Sequence, residues 1–180
     1  MKELSLNILD VAKNSVSAGA SLVRISLNSD AKGWLTLSIE DNGCGMDQET
    51  VSQVTDPFYT TRKTRKVGLG LPLLKLAAEQ TGGKLCIASS TEKGKSGTTL
   101  TATFDTNSID CMPMGDIIST VCILIAGSPE IDFEFLDVNP KRTVRLDTRE
   151  LRGVLGNDIS LAEPEVQFWI KEYLDEQYLV

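Results

Sequence analysis

The chain has 180 residues, 41% of them apolar and 24% charged, with a formal net charge of −7. That composition supports a globular core and argues against a bulk nucleic-acid binder, whose surface would be basic. The chain contains no histidine, which excludes His-ligated metal sites, Ser-His-Asp and Cys-His pairs, and phosphorylation of a histidine of this chain.

Leu4, Ile8, Val11, Ala12 and Val16 recur at helical spacing, predicting an amphipathic helix from about 4 to 18 that Gly19 ends. Residues 21–27 and 34–39 alternate with period two around the turn material of 28–33, predicting a hairpin. The turn Asp41-Asn-Gly-Cys-Gly45 closes the second strand, and a short helix over 47–54 precedes a Thr-, Lys- and Arg-rich loop over 55–68. A second clear helix spans about 71–80 and stops at Gly82-Gly83; strands near 84–89 and 98–104 follow, joined by the turn 92–97. Antiparallel hairpins with intervening helices predict an α+β two-layer sandwich with helices on one face of a sheet.

Residues 107–110 read as a boundary, giving a first unit over 1–107 and an α+β extension over 108–180. The charge changes there: 1–107 hold twelve Lys/Arg against eleven Asp/Glu, while 108–180 hold six against fourteen. The extension predicts an apolar helix over 115–126, a hairpin over 130–146, a short helix begun by Asp147-Thr-Arg-Glu150 in capping-box form, and a last helix from Pro164 to about Gln177. On that last helix Ile170, Leu174 and Tyr178 form an apolar stripe. It serves either to extend the core or to dock a partner or second copy.

Four elements carry candidate chemistry. Asp10 and Asn14, four apart on a helix, share one face and could hold a metal ion and a water. The Asp41-Asn-Gly-Cys-Gly-Met46 turn lets backbone approach a ligand at Gly43 and Gly45, and its leading carboxylate can accept from an exocyclic amino group such as adenine's. Asp56-Pro-Phe-Tyr-Thr-Thr61, the basic quartet Arg62, Lys63, Arg65 and Lys66, and Val67-Gly68-Leu-Gly70-Leu71 lead into a helix N-terminus, where unpaired N–H groups and cations suit phosphate. Gly97-Thr-Thr-Leu100 opens the last strand of the unit and offers the Thr98 hydroxyl to the same site as Asp41. Each element alone has an ordinary structural explanation, and neither the P-loop nor a GxGxxG after a strand is present.

Together and in this order, the four resemble the N, G1, F/G2 and G3 boxes of the GHKL ATPases, the Bergerat-fold superfamily of DNA gyrase, heat-shock chaperone ATPases, MutL proteins and sensor histidine kinases. The resemblance covers about residues 4–104. Asn14-Ser-Val-Ser-Ala-Gly-Ala20 is closer to the MutL and topoisomerase form and Asp56–Leu71 to histidine kinases, and the whole chain resembles small stand-alone bacterial ATP-binding proteins.

The resemblance implies binding of ATP with Mg²⁺. Asn14 would be the metal ligand and Asp41 the adenine acceptor, supported by Thr98. Gly43, Gly45 and Met46 would form the turn around the base, and Gly68, Leu69, Gly70 and Leu71 the phosphate-facing segment. Lys63, or Arg62 or Lys66, would neutralise phosphate. Asp10 would be the catalytic carboxylate. Hydrolytic members and serine-directed kinases place glutamate there and histidine kinases asparagine; the shorter Asp10 implies slow hydrolysis. Without histidine or phosphoacceptor helices the chain is not a self-sufficient histidine kinase. The expected activity is a nucleotide-dependent switch on an unidentified protein partner; transfer to a partner's serine, as in anti-sigma-factor kinases, and nucleotide sensing without chemistry are the alternatives.

Cys44, Cys86, Cys111 and Cys122 show no metal or disulfide spacing. With no signal-like start and no apolar run of membrane length, the expected setting is cytoplasmic, with no membrane and no nucleic acid as partners and a homodimer among the options.

Overall fold

A computed structural model describes residues 3–56, 69–156 and 158–179. Its elements run α1 (Leu4–Ser17), β1 (Leu22–Ser29), β2 (Trp34–Asp41), α2 (Gln48–Gln53), α3 (Gly70–Gln80), β3 (Leu85–Ser90), β4 (Gly97–Asp105), α4 (Ile117–Gly127), β5 (Asp132–Asn139), β6 (Arg142–Asp147), α5 (Thr148–Leu155) and α6 (Pro164–Leu179). The six strands form one sheet in the order β3-β4-β2-β1-β5-β6. Every pairing is antiparallel except β1 with β5.

The period-two pattern decides which face is covered. Val23, Ile25 and Leu27 of β1, Leu35, Leu37 and Ile39 of β2, Leu100, Ala102 and Phe104 of β4, Phe133 and Phe135 of β5, and Val144 and Leu146 of β6 all point inward and are buried. Against them α1, α3, α4 and α6 form the second layer, α1 touching both α3 and α4, and α4 touching α6. The alternate residues stay in water, where like-aligned charges need partners. There Arg24 bonds Glu40 at 2.9 Å and Glu134 at 3.2 Å, and Arg149 joins at 2.8 Å from Glu134. The expected two-layer sandwich is the observed one.

Residues beyond 108 continue the same sheet. β5 aligns with β1 from Leu22↔Asp132 to Asn28↔Val138, and β6 closes the edge. The Ile170–Leu174 stripe serves the core: Val166, Ile170 and Leu174 are buried, with α6 packed on α4 and β6. The docking reading of that stripe therefore does not hold, because its apolar surface is already covered within the chain.

Two local devices hold this end. The free edge of β6 would expose unpaired backbone groups. Gln177 covers it at Arg145, accepting from that residue's N–H at 2.8 Å and donating to its carbonyl at 3.1 Å. Tyr178 donates its hydroxyl to Asp137 at 2.6 Å while Arg142 lies 4.4 Å over its ring and bonds its carbonyl at 3.2 Å. Burial, then the bond to Asp137, pushes the Tyr178 phenol well above its ordinary value. Tyr178→Phe is expected to cost about 1–2 kcal/mol, since a half-buried carboxylate loses a donor. Urea unfolding of the two proteins measures it.

The Asp147 start of α5 differs from the capping box. Asp147 accepts from the Arg149 N–H at 2.9 Å, whereas Glu150 turns away to Arg145 at 2.7 Å. The arginine fork offers a charged partner, and the reciprocal half of the box is given up for it.

Candidate functional site

Asp41 is the last member of an inward row, Leu35, Leu37, Ile39, Asp41, and Thr98 the last of the facing row, Phe104, Ala102, Leu100, Thr98. The register pairs Leu35 with Phe104, Ile39 with Leu100 and Asp41 with Thr98. Ser89 of β3 extends this last pair across a third strand. Strand parity alone thus ends the apolar inner face in a polar rim. A cavity of about 540 Å³ opens there, lined by Asp10, Asn14 and Ser15 of α1, Ile39, Asp41, Gly45, Met46, Leu69, Gly70, Leu71, Ile87, Thr98 and Leu100 among others.

The turn after β2 is pinned from several directions. Asn42 accepts from the N–H groups of Ser21 and Leu22 at 2.9 and 3.0 Å and donates to the Ser21 hydroxyl at 2.8 Å. The Cys44 N–H donates to the Ala18 carbonyl at 2.9 Å and the Met46 N–H to Ser89 Oγ at 2.8 Å. Gly45 has φ +71, and a Cβ there would stand 1.8 Å from the Ser90 carbonyl oxygen, so the turn can lie against β3 only as glycine. Beyond it Asp47 caps α2, and the N–H and then the hydroxyl of Thr50 hold its carboxyl below the usual range.

Counting protons fixes what the rim offers a ligand. Asp41 accepts on one oxygen from the Ser15 hydroxyl at 2.6 Å and on the other from the Gly43 N–H at 3.0 Å. Ser89 Oγ accepts from Met46 and gives its single proton to the Gly97 carbonyl at 2.9 Å. Its 2.8 Å contact with Thr98 must then carry the Thr98 proton. Both Asp41 and Thr98 are left presenting acceptors only, with apolar Ile39, Ile87 and Leu100 beside them. This wall fits the amino edge and flat face of a base such as adenine.

The opposite wall is α1 and the start of α3. Asp10 and Asn14 line the cavity from successive turns of α1. The α3 N-terminus comes close to Asp10, whose Oδ2 would lie 2.6 Å from a Cβ on Gly70, so a side chain there would turn the Asp10 carboxylate aside. Leu69 supplies no side-chain cap to α3, and Pro72, within the first turn, has no N–H to satisfy. Such an end favours an anion.

The structure thus brings together Asp10, Asn14, Asp41, Gly45, Met46, Leu69, Gly70, Leu71 and Thr98 around one cavity, with Gly43 behind it as a donor to Asp41. Lys63 and Gly68, with the alternatives Arg62 and Lys66, lie outside the described residues. Sequence reading missed Ser15 and Ser89, which fix the hydrogen-bonding sense of Asp41 and Thr98. Parity on β3 could have placed Ser89 on the inward face, but no sequence pattern shows where its proton goes.

Residues 1–108 match the family described as histidine kinase-, DNA gyrase B-, and HSP90-like ATPase. The signal transduction histidine-protein kinase AtoS of Escherichia coli is 37% identical over 89 residues, 49% of this chain and 14% of AtoS. Sporulation kinase C of Bacillus subtilis is 35% identical over 96 residues, 52% of this chain and 21% of that kinase. The chain therefore spans only a minor part of these relatives. Among solved structures, the N-terminal domain of a DNA repair protein superposes with a TM-score of 0.60 at 15% identity, covering 87% of this chain and 58% of that one. The Aquifex aeolicus MutL ATPase domain complexed with ADP gives 0.55 at 13% identity, covering 100% of this chain and 70% of that one. The superpositions carry the fold, and the family match carries the rest: the chain belongs to the histidine kinase-, DNA gyrase B- and HSP90-like ATPases, with a GHKL-type ATP-binding domain in its first 108 residues.

Proposed function

We propose that this domain binds ATP with Mg²⁺, hydrolyses it slowly, and works as a nucleotide-dependent switch on a protein partner, with residues 108–180 as an extension joined to it through the sheet. The observation that supports this best is the acceptor-only rim of Asp41 and Thr98 at one end of a cavity whose other wall includes a helix N-terminus without a side-chain cap. The base would lie on Ile39 and Leu100 with its amino group at Asp41, and Gly43, Gly45 and Met46 would shape the turn beside it. The phosphates would extend toward Leu69, Gly70 and Leu71, with Gly68 and Lys63 completing that end.

The donor set fits magnesium. Asn14 offers a hard amide oxygen on the cavity wall, as Mg²⁺ prefers. Among the described residues no group of three or more Asp, Glu, Cys or His could hold a metal without the ligand. The cation would supply charge neutralisation at the phosphates. Asp10 stands on the same helix face, one turn from Asn14, and would take a proton from an attacking water or hydroxyl.

A second reading has its own support. AtoS and sporulation kinase C are named as kinases, and the 180 residues contain no histidine, so the alternative is phosphotransfer to a partner, for example to a serine. Incubation with γ-labelled ATP, with and without cell extract, separates the two. Free phosphate supports the switch, a labelled partner the kinase, and neither supports a sensor. In both reactive cases Asp10→Asn is expected to keep ATP affinity within about threefold of wild type while stopping turnover, since only the base is lost. Turnover unchanged in Asp10→Asn would remove Asp10 from the mechanism.

A further inference from the structure

With the Ile170–Leu174 stripe turned into the core, α6 presents a different face to water. Trp169 and Tyr173, one turn apart, are 47% and 37% exposed. Their rings are stacked at 5.0 Å with 12° between the planes. Isolated exposed apolar residues are ordinary, but two aromatic rings fixed against each other form a rigid platform whose ordering cost is already met in the free protein.

Three acids share the platform's face of α6, and Arg145 of the adjoining β6 edge is already paired with Glu150 at 2.7 Å. Glu165 is one turn before Trp169, Glu172 three residues after it, and Glu176 three after Tyr173, so helical spacing groups all three with the rings. All three are exposed, and among the described residues none is in an ion pair. The helix's single lysine, Lys171, is spent on the other flank, 2.9 Å from Asp175 and on the side of Cys122 in α4. The flank with Trp169 and Tyr173 faces away from α4, beside the β6 edge that Gln177 covers.

We propose that this face of α6 docks a basic segment of a partner protein, with an arginine or lysine laid on the Trp169–Tyr173 platform and paired with Glu165, Glu172 or Glu176. Aromatic faces attract cations, guanidinium most of all because it also stacks and forks onto carboxylates. Charge complementarity selects this occupant. A second copy would bring the same three glutamates and a chain carrying −7 overall, and nucleic acid or an anionic membrane would be repelled. The sheet order places β6 at the edge opposite β3, so a segment docked on α6 leaves the mouth of the nucleotide cavity open and does not depend on what binds there.

The test uses the full chain and fluorescein-labelled synthetic helical peptides with four arginines and four leucines, or four glutamates in place of the arginines. Anisotropy is expected to show binding of the arginine peptide only, weakening as salt rises. The double variant Trp169→Ala, Tyr173→Ala, which changes no charge, and the triple variant Glu165→Gln, Glu172→Gln, Glu176→Gln are each expected to weaken it at least about tenfold with thermal melts unchanged. A control triple at other exposed acids, Glu49→Gln, Asp110→Asn and Glu130→Gln, is expected to bind like wild type. Equal loss in the control, or no loss in the aromatic variant, would reduce the effect to bulk charge and overturn the proposal. So would light scattering that shows a dimer abolished by Trp169→Ala, because a second copy would then cover the face.

Discussion

A chain truncated after Leu161 is expected to lose its cooperative fold and, with it, the nucleotide cavity more than 60 residues earlier in the sequence. The truncation removes Val166, Ile170 and Leu174, all buried, each contributing about 1.5–3 kcal/mol by burial. It also uncovers the inward side of α4 and β6, on which α6 packs. That sum rivals the whole stability of an ordinary domain, about 5–15 kcal/mol. The loss would propagate because α4 packs on α1, and α1 carries Asp10, Asn14 and the Ser15 hydroxyl that holds Asp41. Loss of Gln177 would also leave the Arg145 backbone groups open on the strand edge. Thermal melts read by circular dichroism, with ATP titration alongside, measure both consequences. A sharp melt near the full chain's together with intact ATP binding would show that α6 is dispensable to the unit it adjoins.

This coupling is where the sequence was least readable. α1, α3 and both early hairpins announce themselves by period and by their glycine stops, because the forces that make them are local. The β1–β5 pairing joins residues about 110 apart in the chain, and no local pattern encodes which strand a later hairpin will meet. Charge and composition change near residue 107, and the family match ends at 108, yet the hydrogen-bonded sheet runs across that position without a break. The α6 stripe shows the same limit from the other side. Periodicity reveals an apolar face but not what covers it, and here the cover is α4 and β6.

The site was readable to a similar depth. Asp10, Asn14, Asp41 and Thr98 stand out because ordered boxes bring them to mind together, and strand parity would place Asp41 and Thr98 on the inward face. Their chemical sense depends on Ser15 and Ser89, common residues in unremarkable positions. A hydroxyl's role is set by which of its neighbours lacks a proton, and that is decided by three strands and a turn meeting in space. For Gly70 the reason is equally spatial, since only the packed structure shows Asp10 Oδ2 2.6 Å from where a Cβ would stand.

Asp41→Asn is expected to lower ATP affinity by about 1–3 kcal/mol, roughly 5- to 150-fold, while changing stability little. The Gly43 N–H is a backbone donor and cannot turn, so the amide oxygen of Asn must take its place against it at the 3.0 Å position. The amide nitrogen then falls on the Ser15 side, where Ser15 Oγ can rotate from donor to acceptor. One amide N–H remains, and it points into the cavity where the carboxylate offered a lone pair. An adenine amino group would meet a donor instead of an acceptor, and the site would have lost the half of its rim that carries charge. Inosine triphosphate, with a 6-oxo acceptor in that place, is expected to lose less than ATP or to gain. Calorimetric titration of both nucleotides into wild type and variant measures the two changes at once. A variant that binds ATP as wild type does would remove the base from Asp41, whereas equal losses for ATP and inosine triphosphate would mean that the substitution disturbed the turn through Gly43 and not the recognition of the amino group.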